Sequence, residues 1–297
     1  MLIIGCSNSR DIAKDIARDL KKKAKVKYAE LETARFPDGE IYVRYPVPVK
    51  GHKVVLVQSF YGNISDEMME VVFAAQTAKD LGAKEVALVA PYFPYFRQDK
   101  RFKPGECISI QVVAKMLNRF IQRLFVVDPH LHRLNSMYDV FTCKCHKLTA
   151  DPAIAKYIKQ KLKNVIIIGP DWESYRWAEK TADIVGCDSA ILEKKRYSAT
   201  KVDVRINKKI DLKNKTVVLV DDIISTGHTM EEAIKDLKKI GAKKFVIICV
   251  HSLFIGDALK RLKKTGAKII SCNTIKHTTN RIDISPVIQS ALSDRMI

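Results

Sequence analysis

Apolar residues along this chain follow two rhythms that trade places from one end to the other. Short β-branched runs, mostly stopped by Gly, Pro or Asp, occur at residues 53–59, 86–91, 124–128, 165–169, 216–220 and 245–250 and predict buried strands. Between them the apolar positions recur at helical spacing. Val71, Val72, Ala75, Ala78 and Leu81 predict one core-facing helix over 67–81, and Met230, Ala233, Ile234, Leu237 and Ile240 predict another. Strands that alternate with helices in this way read as an α/β protein with largely parallel sheets.

The pattern also repeats itself. Leu2-Ile3-Ile4-Gly5 resembles Ile166-Ile167-Ile168-Gly169, Val54-Val55-Leu56-Val57 returns as Val217-Val218-Leu219-Val220, and Leu81-Gly82-Ala83-Lys84 parallels Ile240-Gly241-Ala242-Lys243. The matches keep the same order at offsets that agree within a few residues, which implies two halves of similar doubly wound fold. The expected division is 1–146 and 147–282, with the boundary near 146–152. The last segment, 283–297, reads as a helix with Pro286 near its start that packs back on the first half.

The two halves part company where ligands of such sheets collect, beyond the carboxyl ends of the strands. After the repeated Val-Val-Leu-Val the first half continues Gln58-Ser59-Phe60. The second continues Asp221-Asp222-Ile223-Ile224-Ser225-Thr226-Gly227-His228-Thr229. Only the second is equipped for chemistry.

Composition narrows the partners. A hydrophobic share of 47% in 297 residues supports packed cores, and 52 Lys+Arg against 33 Asp+Glu, a surplus of +19, points to anions. Much of that surplus lies in Lys-rich stretches such as 21–27 and 235–244, which read as solvated helix faces. No apolar stretch approaches the roughly 18–20 residues that span a bilayer. The N-terminus has neither a basic prefix nor a cleavage site, so the expected location is the cytoplasm. Seven scattered cysteines suit reduced thiols there. The one cluster, Cys143-Lys144-Cys145-His146, has no second ligand pair at zinc-finger spacing.

Residues 221–229 place two acids and a Ser/Thr/Gly loop between a buried strand and a helix, in which Thr229 and Glu232 are expected to form a capping box. A phosphate at that helix start would meet unpaired N–H groups, the positive end of the helix dipole and the hydroxyls of Ser225, Thr226 and Thr229. Asp221 and Asp222 repel bare phosphate, so they suit sugar hydroxyls or a hydrated magnesium beside it.

Here the sequence resembles the phosphoribosyl-diphosphate (PRPP) loop of type I phosphoribosyltransferases. Five further stretches narrow the match: Phe36-Pro37-Asp38-Gly39-Glu40, Pro91-Tyr92-Phe93 leading to Arg97-Gln98-Asp99-Lys100, Asp128-Pro129-His130, Gly169-Pro170-Asp171 and Glu193-Lys194-Lys195-Arg196. Together they resemble the ribose-phosphate pyrophosphokinase (PRPP synthase) family from about residue 1 to 290. The resemblance implies two tandem phosphoribosyltransferase-like domains, each a largely parallel sheet flanked by helices. It also implies transfer of the β,γ-diphosphoryl group of ATP to the C1 hydroxyl of ribose 5-phosphate, with Mg2+, giving PRPP and AMP for nucleotide biosynthesis. The partners implied are ATP and ribose 5-phosphate rather than nucleic acid or membrane, and a homo-oligomer built from dimers.

Carried onto this chain, the family assigns catalysis to Lys194 and Arg196, in a polar stretch from 193 to 203 without strand or helix pattern that suits a closing lid. Phe36, Asp38, Gly39 and Glu40 fall to the adenine end of an ATP site and Arg97, Gln98 and Asp99 to its phosphates, with Asp99 also able to hold Arg97 in place. Ribose 5-phosphate falls to Asp221, Asp222, Ser225, Thr226, Gly227, His228 and Thr229, with Arg196. Metal falls to His130 and Asp171, with Asp128 behind them, while His132 falls either to the nucleotide or to the cap of a turn. The chain departs from the family pattern at Ser225, usually Asp, at His228, usually small, and at Trp172-Glu173-Ser174, more often glycines. The Ser174 hydroxyl is the expected partial substitute there.

Two other classes share part of the pattern. A phosphoribosyltransferase that consumes PRPP with a nucleobase needs residues 221–229 but neither the Lys194/Arg196 pair nor the adenine-site turn. A PRPP-sensing DNA-binding regulator suits the +19 charge, yet no recognition helix in an extra N-terminal domain is legible.

Overall fold

A computed structural model describes residues 1–131, 133–196, 202–207 and 210–297, apart from the side chains of 173, 176, 193–196 and 202–205. The chain divides into two compact units, Met1–Thr149 with Ser285–Ile297, and Ala150–Ile284.

In chain order the first unit contains β1 (Leu2–Gly5), α1 (Arg10–Leu20), β2 (Lys27–Glu30), β3 (Glu32–Arg35), β4 (Ile41–Arg44), β5 (Lys53–Val57), α2 (Ile64–Asp80), β6 (Glu85–Ala90), α3 (Ser109–Leu117), β7 (Arg123–Val127) and β8 (Lys144–Leu148). Six of these strands form a sheet in the order β2-β1-β5-β6-β7-β8, every neighbouring pair parallel. Residues 54–57, 86–90 and 124–127 are fully buried, as strands covered on both faces must be. Helix α1 buries Ile12, Ala13, Ile16, Ala17 and Leu20 at the spacing of one helical stripe. The strands β3 and β4 form a separate antiparallel hairpin. Tyr45, just after it, is buried and donates its hydroxyl to Ala74 O at 2.8 Å, so this segment packs on its own unit.

The second unit contains α4 (Asp151–Lys161), β9 (Val165–Gly169), α5 (Trp172–Val185), β10 (Asp188–Arg196), β11 (Val202–Ile206), β12 (Thr216–Ile224), α6 (His228–Lys239), β13 (Lys244–Ser252), α7 (Ala258–Lys264), β14 (Lys268–Cys272) and β15 (Asn280–Ile282). The chain then returns to the first unit as α8 (Ser285–Met296), where Gln289 Nε2 donates to Asp15 O at 3.2 Å and Lys53 Nζ donates to Met296 O at 2.7 Å. The second sheet runs β11-β10-β9-β12-β13-β14-β15. Remove β11, and its order matches that of the first sheet strand for strand. The repeats read from the sequence occupy equivalent places, β1 with β9 and β5 with β12.

Three local expectations are corrected. Leu81, assigned to the core face of α2, is 48% exposed because the helix has ended, while Glu67 and Glu70 take buried positions on that helix. The stretch from 193 to 203, expected to lack strand structure, belongs in part to β10 and β11, paired antiparallel with Lys194 opposite Val204 and Arg196 opposite Val202. Strand β12 continues through Ile224, so Asp221 and Asp222 belong to the strand rather than to the loop after it.

Candidate active site

In the second sheet the chain reverses direction of travel between β9 and β12, which makes their carboxyl ends the crevice where ligands of doubly wound sheets bind. Asp171 follows β9 and caps α5: its Oδ1 accepts from the Ser174 N–H at 2.9 Å and from the Ser174 hydroxyl at 2.6 Å. The Ser174 hydroxyl, expected to face a diphosphate, is thus buried and engaged with Asp171. A glycine must precede this turn, since a Cβ on Gly169 would lie 2.7 Å from Tyr175 Cα.

Asp221 and Asp222 sit at the end of β12. Backbone N–H groups satisfy one oxygen of each: Asp222 N–H donates to Asp221 Oδ1 at 3.0 Å and Ile223 N–H donates to Asp222 Oδ1 at 2.7 Å. Burial pushes the Asp221 carboxyl well above the usual carboxylate range, and the charges of Asp222 and Asp171 push it further. These acids form one patch of negative potential.

Residues 225–229 turn from this patch into α6. Gly227 is the N-cap, at φ +75° with no side-chain cap, so the expected box between Thr229 and Glu232 does not close the helix. Two constraints fix glycine there: the left-handed backbone, and Leu262, whose Cδ1 would lie 3.0 Å from a Cβ. The loop carbonyls are tied from behind, with Ile255 N–H donating to Ser225 O at 3.0 Å and Arg261 Nη2 donating to Thr226 O at 2.6 Å. Thr226, His228 and Thr229 are exposed, Ser225 is half-buried, and the first N–H groups of α6 have no acceptor within the helix. The arrangement sets the outward-facing N–H groups of a helix start beside two carboxylates, and helix starts of this kind can receive anions.

The candidate residues of the first unit occupy two regions. Phe36, Asp38, Gly39 and Glu40 form the exposed tip of the hairpin between β3 and β4, closed by Phe36 N–H to Glu40 O and Gly39 N–H to Phe36 O, each 2.9 Å. The Phe36 ring is 49% exposed and stands edge-on to Tyr42 at 5.8 Å. Arg35 braces the tip by donating to Gly39 O at 2.8 Å and pairing with Asp66.

The other region follows β6 and β7. Arg97 is exposed, while Gln98 turns its amide toward Cys107 O at 3.3 Å and Glu106 Oε2 at 3.4 Å. Asp99 does not hold Arg97: its buried carboxylate accepts from Arg133, at 2.9 Å from Nε and 2.7 Å from Nη2. His130 is half-buried after Asp128, a buried residue at φ +37°. His132 and the side chains of Lys194 and Arg196 lie outside the described residues. Among the described residues no group of three or more His, Cys, Asp or Glu gathers as a ready-made metal site.

Sequence reasoning missed Arg133 and Arg261, because a partner 34 or 35 positions away leaves no local signal. It also missed the polar network at the equivalent crevice of the first sheet. There Ser7 N–H and hydroxyl donate to Glu70 at 2.9 and 2.6 Å, and Asn8 donates to Glu67 Oε1 at 2.6 Å. Gln58 accepts from Asn8 N–H at 3.1 Å. Side chains of α2 thus fill this place in the first half.

Residues 1–120 match the profile of the N-terminal domain of ribose phosphate pyrophosphokinase, and residues 147–289 match that of the phosphoribosyl transferase domain. The ribose-phosphate pyrophosphokinase of Methanothermobacter thermautotrophicus is 36% identical over 99% of this chain and 100% of its own. The chain belongs to the ribose-phosphate pyrophosphokinase family. The Pyrococcus furiosus member is likewise 36% identical, over 98% of this chain and all of its own. The solved phosphoribosylpyrophosphate synthetase of Mycobacterium smegmatis superposes with a TM-score of 0.83 at 27% identity, covering 98% of this chain and 97% of that one. A ribose-phosphate pyrophosphokinase is a transferase, and full-length matches of this kind extend the family's two-domain architecture to this chain.

Proposed function

We propose that this chain transfers the β,γ-diphosphoryl group of ATP to the C1 hydroxyl of ribose 5-phosphate, with PRPP and AMP as products. The observation that carries the reading is the turn at residues 221–229, which sets two carboxylates beside the N-terminus of α6 at a sheet position that side chains of α2 fill in the first unit. In the cradle, the N–H groups and hydroxyls of Ser225, Thr226, Gly227, His228 and Thr229 receive the sugar's 5-phosphate, while Asp221 and Asp222 accept from its ring hydroxyls. Ser225 replaces a family carboxylate with a donor to phosphate oxygen.

The first unit takes ATP on this reading. Phe36 offers a face for adenine, Asp38 and Glu40 accept from its exocyclic amine, and Arg97 spans phosphate oxygens. Gln98 supports the phosphate loop from within. Lys194 and Arg196 supply the cationic charge that a loosening phosphoryl group requires, with Arg196 also serving the sugar side. The C1 hydroxyl attacks the β-phosphorus in line with the departing AMP oxygen, and its proton leaves as the new bond forms.

The acids favour a hard divalent cation as a further component. Asp171, Asp221 and Asp222 offer only oxygen donors, and burial, with the charges of Asp222 and Asp171 adding to it, holds Asp221 away from ionisation. Bound magnesium would supply a counter-charge and neutralise diphosphate oxygens. Asp171 fits such a ligand by chemistry and His130 by family resemblance. Seven free thiols suit a reducing cytoplasm, and no described helix is long and apolar enough to cross a membrane. A homodimer as the building unit follows from the family alone.

The test is to supply ATP, magnesium and ribose 5-phosphate and resolve the products. AMP and PRPP should appear together, and Lys194→Ala should lower turnover by orders of magnitude while ribose 5-phosphate still binds. ADP in place of AMP would contradict attack at the β-phosphorus.

A further inference from the structure

One ion pair, buried at its Asp99 end, joins the two nucleotide-side segments of the first unit. The Asp99 side chain is only 1% exposed, and a single oxygen, Oδ1, accepts both Nε and Nη2 of Arg133. Its other oxygen, Oδ2, is buried with no hydrogen-bond partner, so Arg133 is the one cation balancing this carboxylate among the described residues. The same guanidinium lies over the Phe102 ring at 4.9 Å, with Lys100 Nζ at 5.3 Å from that ring. Glu106 Oε2 accepts from the N–H groups of Phe102 and Lys103 at 2.8 and 3.0 Å, which folds the loop from 97 to 107 onto itself.

The loop presents Arg97 and Lys100 as exposed cations. Arg133 comes from the other segment, three residues beyond His130. An exposed pair would contribute little, but loss of Arg133 would strand a carboxylate that cannot reach water, and the loop would have to shift to relieve it. We propose that Arg133 is a positioning residue for ATP: through Asp99 and Phe102 it holds the 97–103 loop, and so Arg97, in fixed register with His130. Asp99 on this account is an internal anchor and does not touch the nucleotide. The proposal rests on the reading that the first unit takes ATP, and it adds a residue with no contact to substrate.

Arg133→Gln should raise the KM for ATP roughly 10- to 100-fold, the scale of a small misplacement of phosphate-binding groups, with the KM for ribose 5-phosphate unchanged. Adding Asp99→Asn to Arg133→Gln should recover most of the ATP affinity, because a neutral pair removes the stranded charge. Should Arg133→Gln not fold, Arg133→Lys retains the charge without the two-pronged contact and should give a smaller rise in the same constant. Equal rises for both substrates, or a lower melting temperature with no change in the KM for ATP, would overturn the proposal. Failure of the wild-type protein to form AMP and PRPP would instead remove the reading beneath it, a result distinguishable before any variant is made.

Discussion

Asp221 on β12 stands directly across from Cys249 on β13 in the parallel register. Cys249 is fully buried, and burial raises its thiol pKa, with Asp221 and then Asp222 raising it further. The neighbour that closes one side of Asp221 is therefore neutral. Among the described residues no Lys or Arg forms an ion pair with Asp221, which burial and then the charges of Asp222 and Asp171 hold toward its neutral form.

Asp221→Asn tests this shift. Because the folded-state pKa of Asp221 lies above its unfolded value, the associated stability is complete below pH 3.8 and is lost as pH rises through the folded value. The Asn variant escapes that loss. Without divalent cations it should melt at least ~2 °C higher than wild type at pH 8, and the difference should vanish near pH 3.5. Magnesium should raise the wild-type melting temperature more than that of the variant. In binding assays the variant should lose affinity for ribose 5-phosphate and keep it for ATP; equal losses would contradict the assignment of ligands to units.

Glu67 gives a second pH signature, in the first unit. Burial raises its carboxyl to about 7 against donation from Asn8, with Glu70 adding to the rise, and its Oε2 has no partner. The unfolded chain releases this proton near pH 4.5 while the folded chain keeps it. Stability should therefore fall by about 2–3 kcal/mol between pH 4.5 and pH 7 on this account. Glu67→Gln should abolish that slope, measured as urea midpoints at pH 5 and pH 8. An unchanged slope would assign the proton to another group.

The central strands of both sheets were legible because a parallel strand covered on both faces needs an unbroken β-branched run, and residues 54–57 and 217–220 supply one each. The turn from β12 into α6 was legible because all its parts are adjacent in sequence. What helical periodicity misjudged on α2 was charge: Glu67 and Glu70 look like solvent-facing positions until Ser7, Asn8 and Gln58 arrive from elsewhere to satisfy them. The cap of α6 was misread for a related reason. Thr229 and Glu232 have the spacing of a box, but Leu262 and the turn at Gly227 start the helix earlier. Ion pairs across long sequence separations, Asp99 with Arg133 above all, carry no pattern that a linear reading detects.

Gly227→Ala should damage both fold and binding. The new methyl would enter a left-handed backbone and press on Leu262, a combination that should lower stability by about 1–3 kcal/mol. Any relief rotates the N–H groups of the cradle, so ribose 5-phosphate affinity should fall at temperatures where the variant is still folded. Full affinity in the folded variant would mean that the cradle tolerates another backbone path.

Arg261→Ala examines the same cradle from behind, without altering a residue that meets the ligand. Arg261 donates to Thr226 O, pairs with Asp257 at 2.5 Å and approaches Glu231 at 3.6 Å, so one side chain links the loop to the starts of α6 and α7. The surface ion pairs contribute little to stability. The bond to Thr226 O is different in kind, because it holds a carbonyl away from the face where a phosphate would sit. With Arg261 gone, that carbonyl is free to turn toward the phosphate and the loop must be ordered anew on binding. The KM for ribose 5-phosphate should rise about 3- to 10-fold, equivalent to roughly 1 kcal/mol, with the KM for ATP unchanged. Arg261→Lys should recover part of the loss, since an ammonium can reach the same carbonyl without the second contact. If Arg261→Ala lowers only the melting temperature, the tie to Thr226 serves the fold and not the sugar phosphate.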